Sequence, residues 1–347
     1  MNQRRLQILS VTCIAAACQA PTVPPAEDAW QMVPAPTTAS LRALAVVDAA
    51  VAWVGGANGT LLRTVDGGST WQDVCPPDAA KCDFRDLHAF AADVVLAMVA
   101  GQPARLYRTE DGGANWTIVH ADARPAAFFD GIAFAGDDGV LVGDPIDGAF
   151  DIWQSRDRGR TWQAVPPAQL PAPRPDEAAF AASGTCAVLV PGPAPRVLLV
   201  TGGGAVRCLC VPLVDAEPRA VPLPLAQGEA SRGAFSLAMR GQRCVVVGGD
   251  YQEPLGPWGT AAWSDDLGEH WRPSGAGGYR SAVVWLDDTR LLAVGSHGAS
   301  VSVDGGCTWR PIGSPGFHSL AVGGDGSVWA CGGDGRVARW HDSQRTP

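Results

Sequence analysis

Short apolar runs separated by turn residues recur along the chain, and their order repeats. Residues 44–47, 51–55 and 60–64 are three such runs in succession, each of a length that predicts a β-strand. A fourth, outer strand opens at Trp71 and continues to Val74. Between the third run and the fourth lies the phrase Thr64-Val65-Asp66-Gly67-Gly68-Ser69-Thr70-Trp71. Four more segments, 109–116, 155–162, 264–271 and 302–309, share its pattern of Ser/Thr-x-Asp-x-Gly-x-x-Trp. They carry the pairs Asp111 and Trp116, Asp157 and Trp162, Asp266 and Trp271, and Asp304 and Trp309. The first three tryptophans are 45 and 46 residues apart and the last two 38, whereas Trp162 and Trp271 are separated by 109. That longer gap has room for one extra unit without the phrase. A period of about 40 to 50 residues with four short strands per unit predicts a β-propeller, all-β and antiparallel within each blade.

The repeated phrase has a structural physics. Its Asp carboxylate is expected to cap backbone N–H groups in a tight turn, with Gly taking positive φ and Ser/Thr bonding inside the same turn. The Trp is expected to bury its ring between neighbouring sheets. An outer-strand phrase without a preceding turn stands alone at residues 30–33, and the chain closes with three strands, 319–322, 328–331 and 336–340, that have no fourth. Residues 30–33 are therefore expected to complete the last blade and remove its open edge. The count is seven blades: five with the phrase, the shared closing blade, and a degenerate one at about 176–226. Six or eight remain open, because that stretch is Pro-rich.

The phrase resembles the Asp-box, or BNR repeat, of sialidases, sortilin-type receptors and xyloglucanase-like glycosidases. A closer resemblance is carried by Asp83-Phe84-Arg85-Asp86, by the phrases at 128–134 and 141–145, by Glu177-Ala178-Ala179-Phe180-Ala181-Ala182-Ser183-Gly184-Thr185, and by Val247-Gly248-Gly249-Asp250-Tyr251. Over residues 40–340 the chain is similar to the bacterial branch of the photosystem II assembly and stability factor family. That resemblance implies a binding and assembly scaffold without catalytic chemistry.

Composition narrows the function. The chain has 347 residues and a net charge of −9, with 25 Arg and a single Lys, Lys81, and no block of like charge. A nucleic-acid partner is not expected. Asn2-Gln3-Arg4-Arg5, the apolar stretch 6–17 and the small residues before Cys18 resemble a bacterial lipoprotein signal, with Cys18 as the lipidated residue. The expected organisation is a signal over 1–17, a Pro/Ala-rich tether over 18–29, a propeller over 30–341 and a tail over 342–347. The expected location is the periplasmic face of the outer membrane, with membrane contact through the lipid alone. Ordinary signal cleavage, giving a soluble periplasmic or secreted protein, is the alternative. Ten cysteines fit an oxidising compartment, and Cys75 with Cys82, which bracket a Pro-Pro-Asp loop, are the expected disulfide.

Candidate chemistry lies where the innermost strands start, at the mouth of the central channel. Leu41-Arg42, Phe84-Arg85, Tyr279-Arg280 and Phe317-His318 each place a cationic or titratable residue after an apolar or aromatic one. Asp130, Asp144, Glu177 and Asp250, with Tyr251, lie at the equivalent ends of other blades. A basic arc facing an acidic one suits a carboxylate-bearing partner, such as a chain terminus or acidic peptide, or a small anionic or glycan ligand. The alternative is that these arginines pair with neighbouring aspartates such as Asp86 and order the channel. The same four carboxylates supply the rival reading, a glycoside hydrolase. Sialidase chemistry also needs an activated Tyr, and the chain holds only Tyr107, Tyr251 and Tyr279. No metal site or cofactor is expected, and the protein is expected to be monomeric.

Overall fold

The computed structural model describes residues 29–313 and 315–342. The expected signal, Cys18, the tether apart from Ala29, and residues 343–347 lie outside the described residues. Seven antiparallel sheets follow one another around a ring. Their innermost strands are Leu41–Val46 in blade 1, Phe84–Ala91 in blade 2, Phe129–Ala135 in blade 3, Ala187–Val190 in blade 4, Arg232–Arg240 in blade 5, Ala282–Trp285 in blade 6 and Ser319–Val322 in blade 7. Three further strands extend each blade outward. The seven-bladed propeller read from the periodicity is the observed fold.

Ring closure follows the expected route. Strand Trp30–Val33 pairs antiparallel with Val337–Trp340, from Trp30 opposite Trp340 to Val33 opposite Val337. The Trp30 ring sits between Phe317 and Trp340, with centroids 4.6 and 5.0 Å away. The core lies between adjacent blades. Trp53, Phe84, Val95 and Tyr107, for example, form one buried cluster between blades 1 and 2.

The five repeated turns each join the third strand of a blade to its fourth. In the first, Thr64 Oγ1 donates to Asp66 Oδ1 at 2.9 Å and accepts the Gly68 N–H at 2.8 Å. Asp66 Oδ1 also accepts the Thr70 N–H at 2.9 Å, and the Thr70 hydroxyl donates to Oδ2 at 2.6 Å. Those bonds from Thr70 hold the Asp66 carboxyl down at about 2. Gly67 and Gly68 both take positive φ, as the turn requires. The box tryptophans are half-buried. Trp71 and Trp116 donate their indole N–H to Pro34 and Val74 of the preceding blade, whereas Trp162, Trp271 and Trp309 donate to the glycine of their own turn.

Blade 4 has no such turn; residues 213–218 join its strands Arg207–Pro212 and Arg219–Pro222. It begins later than expected, at Ala187. The preceding short strand, Glu177–Ala178, pairs with Gly202–Gly203, and Gly202 in turn joins the inner strand of blade 5. The expected Cys75–Cys82 bridge is not formed: all eight cysteines of the described residues are free thiols. Burial raises both thiols, Cys75 to about 11, and Cys75 donates to the Pro76 carbonyl instead.

Candidate functional site

Five of the seven inner strands enter the ring through the same backbone contact. The N–H of Leu41, Phe129, Ala234, Arg280 and Phe317 donates to a carbonyl of the preceding blade: Gly332, Ala100, Thr201, Gly248 and Gly295 respectively. The next residue occupies the channel mouth. That rule puts Arg42, Asp130, Phe235, Ser281 and His318 at equivalent positions, and the sequence phrase of blade 2 adds Arg85. A cavity of about 470 Å³ lies there, lined by Arg42, Arg85, Asp130, Asp144, Phe235, Tyr251, Tyr279 and His318 among others.

The rule also corrects one expectation. Tyr279-Arg280 is displaced by one residue from the other dipeptides, so Arg280 is the counterpart of Leu41 and Phe317. A one-residue shift sends a strand's side chain to the opposite face. Tyr279 therefore lines the cavity, while Arg280 is buried beneath it and donates to the Tyr279 carbonyl at 2.8 Å and to Ser300 Oγ at 2.7 Å. Burial lowers its pKa to about 10. It is a structural arginine.

The floor of the cavity is a segment that crosses the axis. Residues 179–186 leave the edge of blade 5 and run through the centre before blade 4 begins. The Ala179 N–H donates to Asp144 Oδ1 at 3.0 Å, and Arg85 donates to the Ala181 carbonyl at 2.9 Å. Ser183 Oγ donates to the Ser281 carbonyl, and Ser319 Oγ to the Ser183 carbonyl. Thr185 shares a 2.7 Å hydrogen bond with Ser236, and its carbonyl accepts the Leu237 N–H. Gly184, at φ +73°, passes so close to Asp86 that a Cβ there would lie 2.1 Å from the carboxyl carbon. Blades 2, 3, 5, 6 and 7 thus all hold this plug, which turns the channel into a cup. Nothing in the sequence marked its path, although its phrase carried part of the family resemblance.

The basic side of the cup is Arg42 and Arg85. Arg85 donates to Asp83 at 2.7 Å as well as to the plug. Asp86 is not its partner: that carboxylate accepts the N–H groups of Leu87 and Ile132, each at 2.7 Å. Arg42 is half-buried and makes no hydrogen bond or ion pair among the described residues. Burial, and then the charge of Arg85, lower its pKa. His318 is held at about 4 by burial and by Arg42, Arg336 and Arg85, so it is neutral at pH 7.

The acidic side is narrower than expected. Glu177 is locked by Arg207 at 2.5 Å and by the Thr201 hydroxyl at 2.7 Å. Asp250 is locked by Arg232 at 2.9 Å and caps Gln252 and Glu253. Neither lines the cavity. Asp130 and Asp144 do, and both belong to blade 3. Asp130 is fully buried, with neither oxygen in a hydrogen bond of normal geometry. Burial, followed by the charge of Asp144, raises it well above the usual carboxylate range. Burial raises Asp144 to about 6. The pair sits on one wall, close enough for each to bias the other's proton, which is not the arrangement of two carboxyls flanking a glycosidic bond. An aromatic wall missed by the sequence reading completes the cup. Phe180 stacks on Phe235 at 3.9 Å, and Tyr279 meets Phe235 edge-on at 4.9 Å.

Comparison with known proteins places the fold. The family model described as photosynthesis system II assembly factor YCF48 matches residues 23–166. No curated protein matches the chain. A solved structure of YCF48 bound to D1 peptide is 18% identical with a TM-score of 0.62, covering 90% of this chain and 96% of that one. YCF48 from Cyanidioschyzon merolae is 17% identical with a TM-score of 0.61, covering 90% and 99%. A GH74 xyloglucanase from Xanthomonas campestris is 15% identical with a TM-score of 0.62, and there the match covers 91% of this chain but 54% of the enzyme. The chain resembles the photosystem II assembly factor propellers over its described length.

Proposed function

We propose that this protein is an exported, lipid-anchored scaffold that holds a protein partner by a carboxylate at the axial cup. The observation that carries the reading is Arg42, a half-buried guanidinium with no partner of its own, beside Arg85 on the cup's rim. A cation held out of water without a counter-ion is unfavourable, and a ligand carboxylate relieves it through charge-assisted, planar hydrogen bonds. Among backbone-like ligands, a chain terminus brings both the charge and the plane. The likeness to a propeller solved with a peptide, YCF48 bound to D1 peptide, supports a peptide as the class of partner. Glu177 and Asp250, each held in an ion pair, argue against a hydrolase built on the four carboxylates.

The test is calorimetric titration of acetyl-tetra-alanine as the free acid and as the C-terminal amide. A hydrogen-bonded charge is worth about 1.5–3 kcal/mol, so the acid should bind at least about tenfold more tightly. Arg42→Gln should remove that preference, while Arg310→Gln, on an outer strand, should not. Equal binding of acid and amide by the wild type refutes the carboxylate reading.

A further inference from the structure

The cup holds a second unpaired group, of the opposite kind. Asp130 is fully buried, faces the cavity, and has neither carboxyl oxygen in a hydrogen bond of normal geometry, the Ala181 N–H and the Asp144 carboxyl being the polar groups that face it. Buried polar groups in native proteins are almost always satisfied, and leaving one unmade costs about 1–3 kcal/mol. Asp144 is beside it on the same wall, with one oxygen taken by the plug at Ala179 and its carboxyl interacting with that of Asp130. Two carboxyls this close cannot both ionise without repulsion, so together they present about one negative charge to the cup.

Arg42 and this pair are not ion-paired with each other. They stand two blades apart around the rim, with blade 2 between them. A ligand bearing only a carboxylate would satisfy Arg42 and leave the acid pair facing an anion. A ligand bearing only a cation would do the reverse. We propose that the ligand carries both charges: a peptide whose C-terminal residue is lysine or arginine, with its carboxylate on Arg42 and Arg85 and its side-chain cation on Asp130 and Asp144. The proposal rests on the carboxylate reading above and extends it to the identity of the last residue.

The chemistry of the walls fits that residue. An α-amine lies one carbon from its carboxylate, too near to reach across the width of a blade, whereas lysine and arginine carry the charge on a long stem. Phe180, Phe235 and Tyr279 offer an apolar surface along which such a stem can lie with its charged head beyond them. A volume of about 470 Å³ lies within the range of small-ligand sites and admits one or two residues.

The experiment titrates the full chain by calorimetry with three peptides: acetyl-Ala-Ala-Ala-Lys as the free acid, its C-terminal amide, and the free acid ending in norleucine. Norleucine keeps the stem and removes the cation. The lysine acid should bind at least about tenfold more tightly than the norleucine acid, the size of one charge-assisted contact. Asp144→Asn keeps an oxygen to accept the Ala179 N–H. It should cut that preference to less than about twofold without weakening norleucine affinity, since the acid pair only opposes that anion, and Asp130→Asn provides a second variant. Equal affinity for lysine and norleucine, with the acid still preferred over the amide, overturns this proposal and spares the carboxylate reading. A lysine preference that survives both variants also overturns it. Loss of the acid-over-amide preference, or no binding by any peptide, overturns both.

Discussion

Removing one side chain, Trp30, should open the ring. Trp30 is the first residue of the strand that closes blade 7, and it is 9% exposed between Phe317 and Trp340. A buried aromatic removes roughly 150–250 Å² from water, and at about 25 cal/mol per Å² that is worth roughly 4–6 kcal/mol as an upper bound. Its indole N–H has no hydrogen-bond partner, so Trp30→Ala sacrifices no polar contact. Trp-to-Ala changes in cores cost about 3–5 kcal/mol, and that is the expected loss. Met32 lies two residues along the same strand but is 49% exposed, so Met32→Ala should stay within about 0.5 kcal/mol of wild type. Urea unfolding measures both, with the midpoint shift read at constant slope. The larger loss should bring a new association tendency, because the freed strand Val337–Trp340 is an unpaired edge. Equal midpoints for the two variants would refute closure through residues 30–33 as a source of stability.

Two further outcomes are expected. Asp130 is raised in the folded state above the value of about 3.9 it has when unfolded, so the folded protein binds more protons and wild-type stability falls as pH rises through that window. Asparagine cannot titrate, so Asp130→Asn should gain on wild type as pH rises above the unfolded value, with a slope of at most about 1.4 kcal/mol per pH unit, and a pH-independent difference in urea midpoints would contradict it. Cys18→Ser should move the protein from the membrane fraction to the soluble one, and a wild type already soluble in the periplasm would mean that ordinary signal cleavage operates.

The sequence by itself determined the blades and their closure. The polar turn of the Asp-box is complete within eight residues: the side chains of Thr64, Asp66 and Thr70 and the Gly68 N–H bond to one another, so the turn needs no distant partner and its spacing counts the ring. The orphan strand at 30–33 and the three-strand ending were equally visible, since an unpaired edge calls for a partner wherever that partner lies in the chain. The sequence also brought Arg42, Arg85, Asp130, Asp144, Tyr251 and His318 to one mouth. Only the tertiary structure decided what that mouth can do. One residue of register sent Arg280 into the interior and left Tyr279 at the rim, because side chains alternate between faces of a strand. Arg207 and Arg232 took Glu177 and Asp250 out of the site, and those pairings join residues from different strands. The plug at 179–186 turned a channel into a cup through contacts with five blades. Whether Arg42 is unpaired and Asp130 unsatisfied depends on what fails to reach them, and a linear chain does not say what will be absent from the neighbourhood of a side chain until the ring has closed.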